Sequence, residues 1–335
     1  KPLKFNDIKL VLEDQWISNL TQDRKGFIWA ATQDGLYKYN GKNFKAYRYN
    51  PLKKNSVSGN WVKVIKQDQK DIFWIGTYGA GLVKFDEKKG LFEKVQINSK
   101  NSNLNPLVIY NIFISSSSAV WVSTDDGLYR RSNPSSDFIK IHKPASSIKF
   151  NETENGNELV SFDNTLFRYN INKERLDPIL QQTNINHIES IGDNEIIYKS
   201  DNELFHYDFI NSPKKISLPN KDNIIFMSNV EDHTCIIAAV NGSYILNTKT
   251  KTFKTYDYKL EKFKNLRITN LFIDKQNLLW IGTEKGLFKE SVLNKVFTNQ
   301  LDIHARKILI DSTSIYISGN QGFFIVPKTN SFNYQ

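Results

Sequence analysis

The chain has 335 residues, 39% of them apolar and 13% aromatic, so it can bury a large core and is not a disordered segment. No apolar run approaches the ~20 residues that cross a bilayer as a helix, and a single cysteine, Cys235, excludes an intrachain disulfide. The formal charge of +10 favours anionic partners, but the lysines and arginines are scattered and form no block of the kind that grips nucleic acid.

The chain starts at Lys1 with neither a methionine nor an apolar signal segment, as a mature product or an expressed segment of one would. The first apolar stretch, "LKFNDI", has the pattern of a closing strand with no sheet ahead of it. The first full repeat follows. "ISNLTQD" ends on Asp23, "WAATQDGLY" begins at Trp29, and "GLYKYN" and "FKAYRY" complete the unit. The second has "VKVIKQD" and then "WIGTYGAGLV" from Trp74; the third has "WVSTDDGLY" from Trp121. Weaker copies come next, "LVSFDNTLFRYN" from Leu159, "IYKSDNELFHYD" from Ile197 and "IIAAVNGSYILN" from Ile236. The seventh, "WIGTEKGLF", returns to the full pattern at Trp280, and an eighth, "YISGNQGFFIV", starts at Tyr316.

These eight anchors recur roughly every 40 residues, the length that builds a blade of four short strands. The runs are short, β-branched and aromatic, bounded by Asn, Asp and Gly, and without helical periodicity. Gly35, Gly127, Gly242, Gly286 and Gly322 lie six after their anchors, where a hairpin turn needs positive φ, and Gly81 lies seven after Trp74. Thr165 and Glu203 stand there in repeats four and five, which must turn by another route. The predicted fold is an all-β propeller of four-stranded blades, a single domain over 1–335. Eight repeats give eight blades, with the N-terminal strand completing the last sheet; seven blades plus the start of a second propeller is the rival count. Trp29, Trp74, Trp121 and Trp280 are core residues on this reading, since four symmetric copies suit packing better than a site.

No motif carries chemistry. The sequence lacks His-Glu-x-x-His, Gly-x-Ser-x-Gly, a phosphate loop and Cys-x-x-Cys. His142, His187, His206, His233 and His304 are scattered, no calcium loop is complete, and no metal or cofactor is implied. The patterns at Asn19, Asn151 and Asn241 match glycosylation signals of a kind that arise by chance.

A binding face is sought by position instead. Thirteen residues before each anchor, where the chain enters the first strand at the channel mouth, stand Trp16, Trp61, Val108, Ser146, Asn184, Asn223, Arg267 and Ile303. This set varies from Trp to Ser, as a site does and a repeated core position does not. Tyr110 follows closely, and the turns after the anchors add Gln33, Asp34, Tyr78, Asp125, Asp126, Glu284 and Lys285 to the same face. Trp16, Trp61, Tyr78, Tyr110, Arg267 and Lys285 are the candidate ligand residues, because aromatic faces beside cations suit sugars and acidic sugars above all. The competing reading is that Trp16 and Trp61 cap an apolar channel.

"DRKGFIWAATQDGLYKYNGKNF" and "DKQNLLWIGTEKGLFKES" resemble the regulator-type propeller repeat of the hybrid two-component sensors of Bacteroidetes. That resemblance implies the periplasmic part of an inner-membrane sensor that controls polysaccharide-utilisation genes. It implies an oligosaccharide ligand, with anionic ones among the candidates, and downstream sensor domains and a second protomer as partners. No catalysis by this chain, no nucleic acid and no membrane insertion by this segment are implied. In that family the repeats come as two rings of seven, so eight is a departure. A protein-interaction scaffold and a polysaccharide lyase or hydrolase are the alternatives from other classes.

Overall fold

The repeating runs form strands, and no helix occurs among the described residues. The computed structural model describes residues 8–53, 55–97, 107–145, 147–191, 194–218, 223–231, 234–239, 242–256, 266–276, 278–290, 305–310, 314–319 and 322–327. Ser146, His233, Asn241, Ile303 and His304 lie outside them. The chain divides into two compact units, residues 1–291 and 292–335.

In the first unit, blade 1 is an antiparallel sheet of Ile17–Gln22, Ile28–Thr32, Gly35–Tyr39 and Phe44–Tyr47, in that order. Five further sheets repeat the plan with four consecutive strands each, over 62–95, 109–142, 149–181, 185–216 and 224–256. First strands of adjacent sheets touch one another, so they line the ring's axis, while fourth strands such as Leu91–Val95 lie outermost and mostly exposed.

The seventh sheet corrects the count. Ile268–Ile273, Leu279–Thr283 and Gly286–Glu290 supply three strands, and the N-terminal strand Ile8–Glu13 takes the fourth place, running from Ile8 opposite Glu290 to Glu13 opposite Gly286. The N-terminal strand therefore closes the seventh repeat and not the eighth, and the expectation of eight blades is overturned. Six blades are made of consecutive strands, and a seventh is shared between the two ends of the ring. Beside this seam, Thr269 Oγ1 donates to the Ile17 carbonyl at 2.6 Å, bringing blade 1 directly against blade 7. The closing strand removes an edge that would otherwise expose unpaired backbone groups. In the second unit Ala305–Ile310, Ser314–Gly319 and Gly322–Pro327 form a three-stranded antiparallel sheet, with Tyr316 opposite Leu309 and Ile325.

Packing between blades explains the anchor motif. Trp29, Ala31 and Leu36 of blade 1 share one core cluster with Ile65, Phe73, Val83 and Phe85 of blade 2. The small residue two after the anchor faces the next blade's first strand. A Cβ on Gly76 would come within 2.5 Å of Ile109 Cγ2, and one on Gly282 within 2.7 Å of Ile17 Cγ2. Repeat four turns without glycine by placing Asp163 and Asn164 at φ 46° and 58°, a two-residue hairpin of the mirror-image type.

The acidic residue six before the anchor has a definite role. Asp23, Asp68 and Asp274 accept the indole N–H of Trp29, Trp74 and Trp280 at 2.8, 3.0 and 2.8 Å through one carboxylate oxygen. The other oxygen accepts the backbone N–H of Phe27, Ile72 or Leu278. Repeat three has Ser115 at that place, and Glu158 of the following blade takes over, accepting from Trp121 Nε1 at 2.8 Å. The same carboxylate receives Arg130 Nε at 2.9 Å and Nη2 at 3.0 Å in a buried two-point pair. Opposite each anchor in the neighbouring strand stands a cation over the ring, Lys38 on Trp29, Lys84 on Trp74, Arg130 on Trp121 and Lys289 on Trp280. The asparagines of two glycosylation-like patterns link first strands instead. Asn19 Oδ1 accepts from Ile65 N–H, and Asn151 Nδ2 donates to the Ile188 carbonyl.

Candidate ligand site at the channel mouth

In blades 2, 3 and 7 a backbone hydrogen bond joins the residue entering the first strand to the turn after the anchor strand. Tyr78 N–H donates to the Trp61 carbonyl at 2.9 Å, Asp125 to Val108 at 3.2 Å and Glu284 to Arg267 at 3.2 Å. Entry residues and turns thus share one end of the ring, the end from which the first strands start.

Two clusters stand there. Over blades 2 and 3, Trp61 stacks on Tyr78 with centroids 4.5 Å apart and ring planes 27° from parallel. Lys63 Nζ lies 5.0 Å from the Trp61 ring on the same first strand. Tyr110 is close enough to feel both Asp125 and Tyr78, and its hydroxyl is pushed above the usual tyrosine value, first by burial and then by those neighbours. Tyr78 and Tyr110 are each 50% exposed, whereas Trp61 is half-buried and its indole N–H is buried with no partner among the described residues. Where blade 7 meets blade 1, Arg267 Cζ sits 5.4 Å from the centre of the half-buried Trp16 ring. Lys285 is exposed on the adjoining turn, where its carbonyl accepts the Asp14 N–H. The six candidates therefore form two groups on one rim, Trp61 with Tyr78 and Tyr110, and Trp16 with Arg267 near Lys285.

The acids of this rim are largely committed to the fold. Asp34 accepts from Tyr37 Oη at 3.0 Å and Arg48 Nε at 2.8 Å. Buried Asp126 holds the Tyr129 hydroxyl and Lys140, and Asp125 accepts the Val108 N–H. At blades 5 and 6 the entry positions are asparagines paired to neighbouring turns, with Asn184 donating to Asp201 at 3.1 Å and Asn202 to Asn223 at 2.6 Å. Arg267, Lys285 and Lys63 have no carboxylate within ion-pair distance among the described residues.

The first strands add cations that the sequence pattern did not single out. Burial holds the Lys63 and Lys149 ammonium groups below the usual lysine range. It does the same to Lys66, opposed by the charge of Glu189. Lys66 belongs to blade 2 and Glu189 to blade 5, so that attraction acts across the axis of the ring. The available signal was a lysine inside a strand otherwise rich in buried residues, as in "VKVIKQ". Among the described residues no group of three His, Cys, Asp or Glu could hold a metal ion. The arrangement can stack planar or C–H faces and attract negative charge.

Residues 262–285, which contain the first and anchor strands of blade 7, match the family model described as two component regulator propeller. No curated protein sequence matches the chain. Among solved structures, the fold is similar to the extracellular domain of a putative hybrid two component system from B. thetaiotaomicron, with a TM-score of 0.67 at 19% identity, covering 96% of this chain and 49% of that one. A second such extracellular domain from the same organism gives 0.64 at 18% identity, covering 92% and 46%. A streptogramin B lyase gives 0.63 at 13% identity, covering 87% and 97%. The chain spans about half the length of the two extracellular domains, and at these identities the likeness is one of fold.

Proposed function

We propose that this propeller is the periplasmic sensing module of a hybrid two-component system and that it detects an oligosaccharide without transforming it. The observation that carries the reading is the channel mouth, where the Trp61–Tyr78 stack and the Arg267–Trp16 pair stand with cations that have no carboxylate within ion-pair distance among the described residues. Aromatic faces pack on the C–H faces of sugar rings, and unpaired cations favour uronate or sulfate groups. The regulator-propeller match at 262–285 and the fold of the two extracellular domains support the two-component setting and the extracytoplasmic location. Control of polysaccharide-utilisation genes belongs to the same proposal. So does the reading of residues 292–335 as the first strands of a second propeller, supported by the closure of seven blades ahead of them.

Blades contact chiefly their neighbours, so a ring of this kind is stiff, and a ligand shifts an equilibrium only through unequal affinity for two states. The ligand accordingly bridges the channel mouth to a further module or a second protomer and changes their relative orientation. A glycan array followed by calorimetry tests the site. Wild type should bind an oligosaccharide that is recovered unaltered, and the double variant Trp16→Ala/Trp61→Ala should keep its β-sheet circular dichroism and lose binding. Unchanged binding in a folded double variant rejects these residues as the site, and a double variant that does not fold supports the channel-cap reading. A non-catalytic partner platform is the second reading, favoured by the half-exposed Tyr78 and Tyr110. Product formation from the glycan would instead favour a lyase or hydrolase, a possibility kept open by the lyase of similar fold.

A further inference from the structure

The cations over the anchor tryptophans are neutralised differently at successive blade boundaries. Between blades 1 and 2, Lys38 pairs with Glu87 of the next blade, which also lies 3.9 Å from Lys25. Between blades 3 and 4, Arg130 pairs with Glu158 of the next blade. Between blades 2 and 3, Lys84 holds the same place over Trp74, with Nζ 4.6 Å from the ring centre. The position of blade 3 equivalent to Glu87 is Asn133, and Arg131 beside it also lies over Trp74, 5.7 Å from the ring centre.

In front of these groups opens a cleft of about 100 Å³, lined among others by Asp68, Lys70, Trp74, Lys84, Arg131 and Asn133. It lies at the end of the blades away from Trp61, where the first strand Val62–Gln67 finishes. Asp68, the acid in its wall, is already occupied. Its Oδ1 accepts the N–H groups of Lys70 and Ile72, and its Oδ2 accepts Trp74 Nε1. Glu93 stands opposite Lys84 in the neighbouring strand without forming an ion pair. Lys84 therefore faces Arg131 and Lys70 with no carboxylate within ion-pair distance among the described residues, Asp68 and Glu93 attracting it only from further off. Burial first, and then the charge of Arg131, hold its ammonium group below the usual lysine range.

We propose that this cleft is an oxyanion site that takes a carboxylate or sulfate group of a small ligand between Lys84 and Arg131, the place that a glutamate of the next blade fills at the two neighbouring boundaries. The volume suits one such group, being that of about three water molecules. Arg131, whose Nε donates to the Asn133 carbonyl at 3.0 Å, supplies its two terminal amino groups for two-point contact, and Lys84 a point charge. The site lies at the other end of the blades from the channel mouth and does not rest on the function proposed there.

The test uses the six tryptophan indole N–H signals of the ¹⁵N-labelled protein, titrated in parallel with sodium glucuronate, sodium sulfate, and glucose plus sodium chloride at matched ionic strength. The Trp74 signal should shift saturably with glucuronate, sulfate or both, the two arms separating a carboxylate from a sulfate ligand, and should not respond to glucose with chloride. Arg131→Glu supplies the missing carboxylate from within the chain and should abolish the response. Lys84→Met should also abolish it while leaving the other five indole signals in place, whereas Lys38→Met and Trp16→Ala/Trp61→Ala should retain it. A Trp74 signal that tracks ionic strength alone, or a response undiminished in both Arg131→Glu and Lys84→Met, overturns the proposal.

Discussion

The tryptophans of the blade interiors and those of the channel mouth obey different rules. Trp29, Trp74, Trp121 and Trp280 are at most 3% exposed; each gives its N–H to a carboxylate and carries a cation on its face. At the channel mouth Trp61 has a buried N–H with no acceptor among the described residues and a half-exposed tyrosine stacked on it, and Trp16 lies under Arg267. A buried donor left unpaired costs about 1–3 kcal/mol. An anchor is thus fixed by its acceptor, whereas Trp61 is held by its ring alone. Blade 3 shows how strict the demand is in the interior, for when Ser115 replaces the acid, a glutamate of the next blade meets it.

The sharpest way to break this comparison is Glu158→Ala. It strips Trp121 of its acceptor and leaves Arg130 buried and unpaired, and should cost about 3–5 kcal/mol in urea unfolding. Asp23→Ala removes the acceptor of Trp29 and of the Phe27 N–H without stranding a charge on that carboxylate, and should cost about 1–3 kcal/mol. Equal losses would mean that the cross-blade pair adds nothing to the anchor bond. A smaller contrast comes from the cations: Lys38→Met should destabilise by about 1 kcal/mol by leaving Glu87 short of a partner. Lys84→Met removes a cation that burial and Arg131 disfavour more than Asp68 and Glu93 favour it, and should be neutral or stabilising in the same assay.

The smallest effect at ordinary pH concerns Tyr198, fully inside the ring, whose hydroxyl is pushed up to about 12 by burial and then by Tyr207. Its folded value lies above its unfolded one of 10.0, so the stability it contributes is complete below that value and is lost as pH rises toward about 12. Tyr198→Phe should flatten the decline of unfolding free energy across that window and leave its slope unchanged near neutrality. Parallel alkaline declines in the two proteins would show that this hydroxyl does not titrate differently on folding.

Much of the fold could be read because each repeat states its own strands, turn and anchor locally. The small residues after Trp74 follow from such short-range patterns, whereas repeat four showed only that it lacks the glycine, and its mirror-image hairpin at Asp163–Asn164 appears with the backbone angles. Closure by the N-terminal strand was legible, but not which sheet it completes, because any exposed sheet edge can accept such a strand and only the assembled ring brings Ile8–Glu13 to Gly286–Glu290. The acids at Asp23, Asp68 and Asp274 were visible as a spacing, but their bond to the indole is a fact of side-chain geometry. Glu158 was hidden for a further reason, since it serves a tryptophan of the preceding blade. At the candidate site, the departure of Trp16 and Trp61 from a repeated position was legible. The commitment of Asp34 and Asp126 to internal bonds and the attraction of Lys66 to Glu189 across the axis appear only once the blades are in place.

The most direct test of the division between the two regions is the unfolding free energy of Trp29→Phe beside that of Trp61→Phe in one urea series. Phenylalanine keeps an aromatic ring and removes the N–H. Trp29→Phe should lose about 2 kcal/mol or more, because Asp23 is left buried without its donor. Trp61→Phe should stay within about 1 kcal/mol of wild type, because the N–H it deletes has no partner to lose. Equal losses at the two positions would contradict the account and make Trp61 one more core residue.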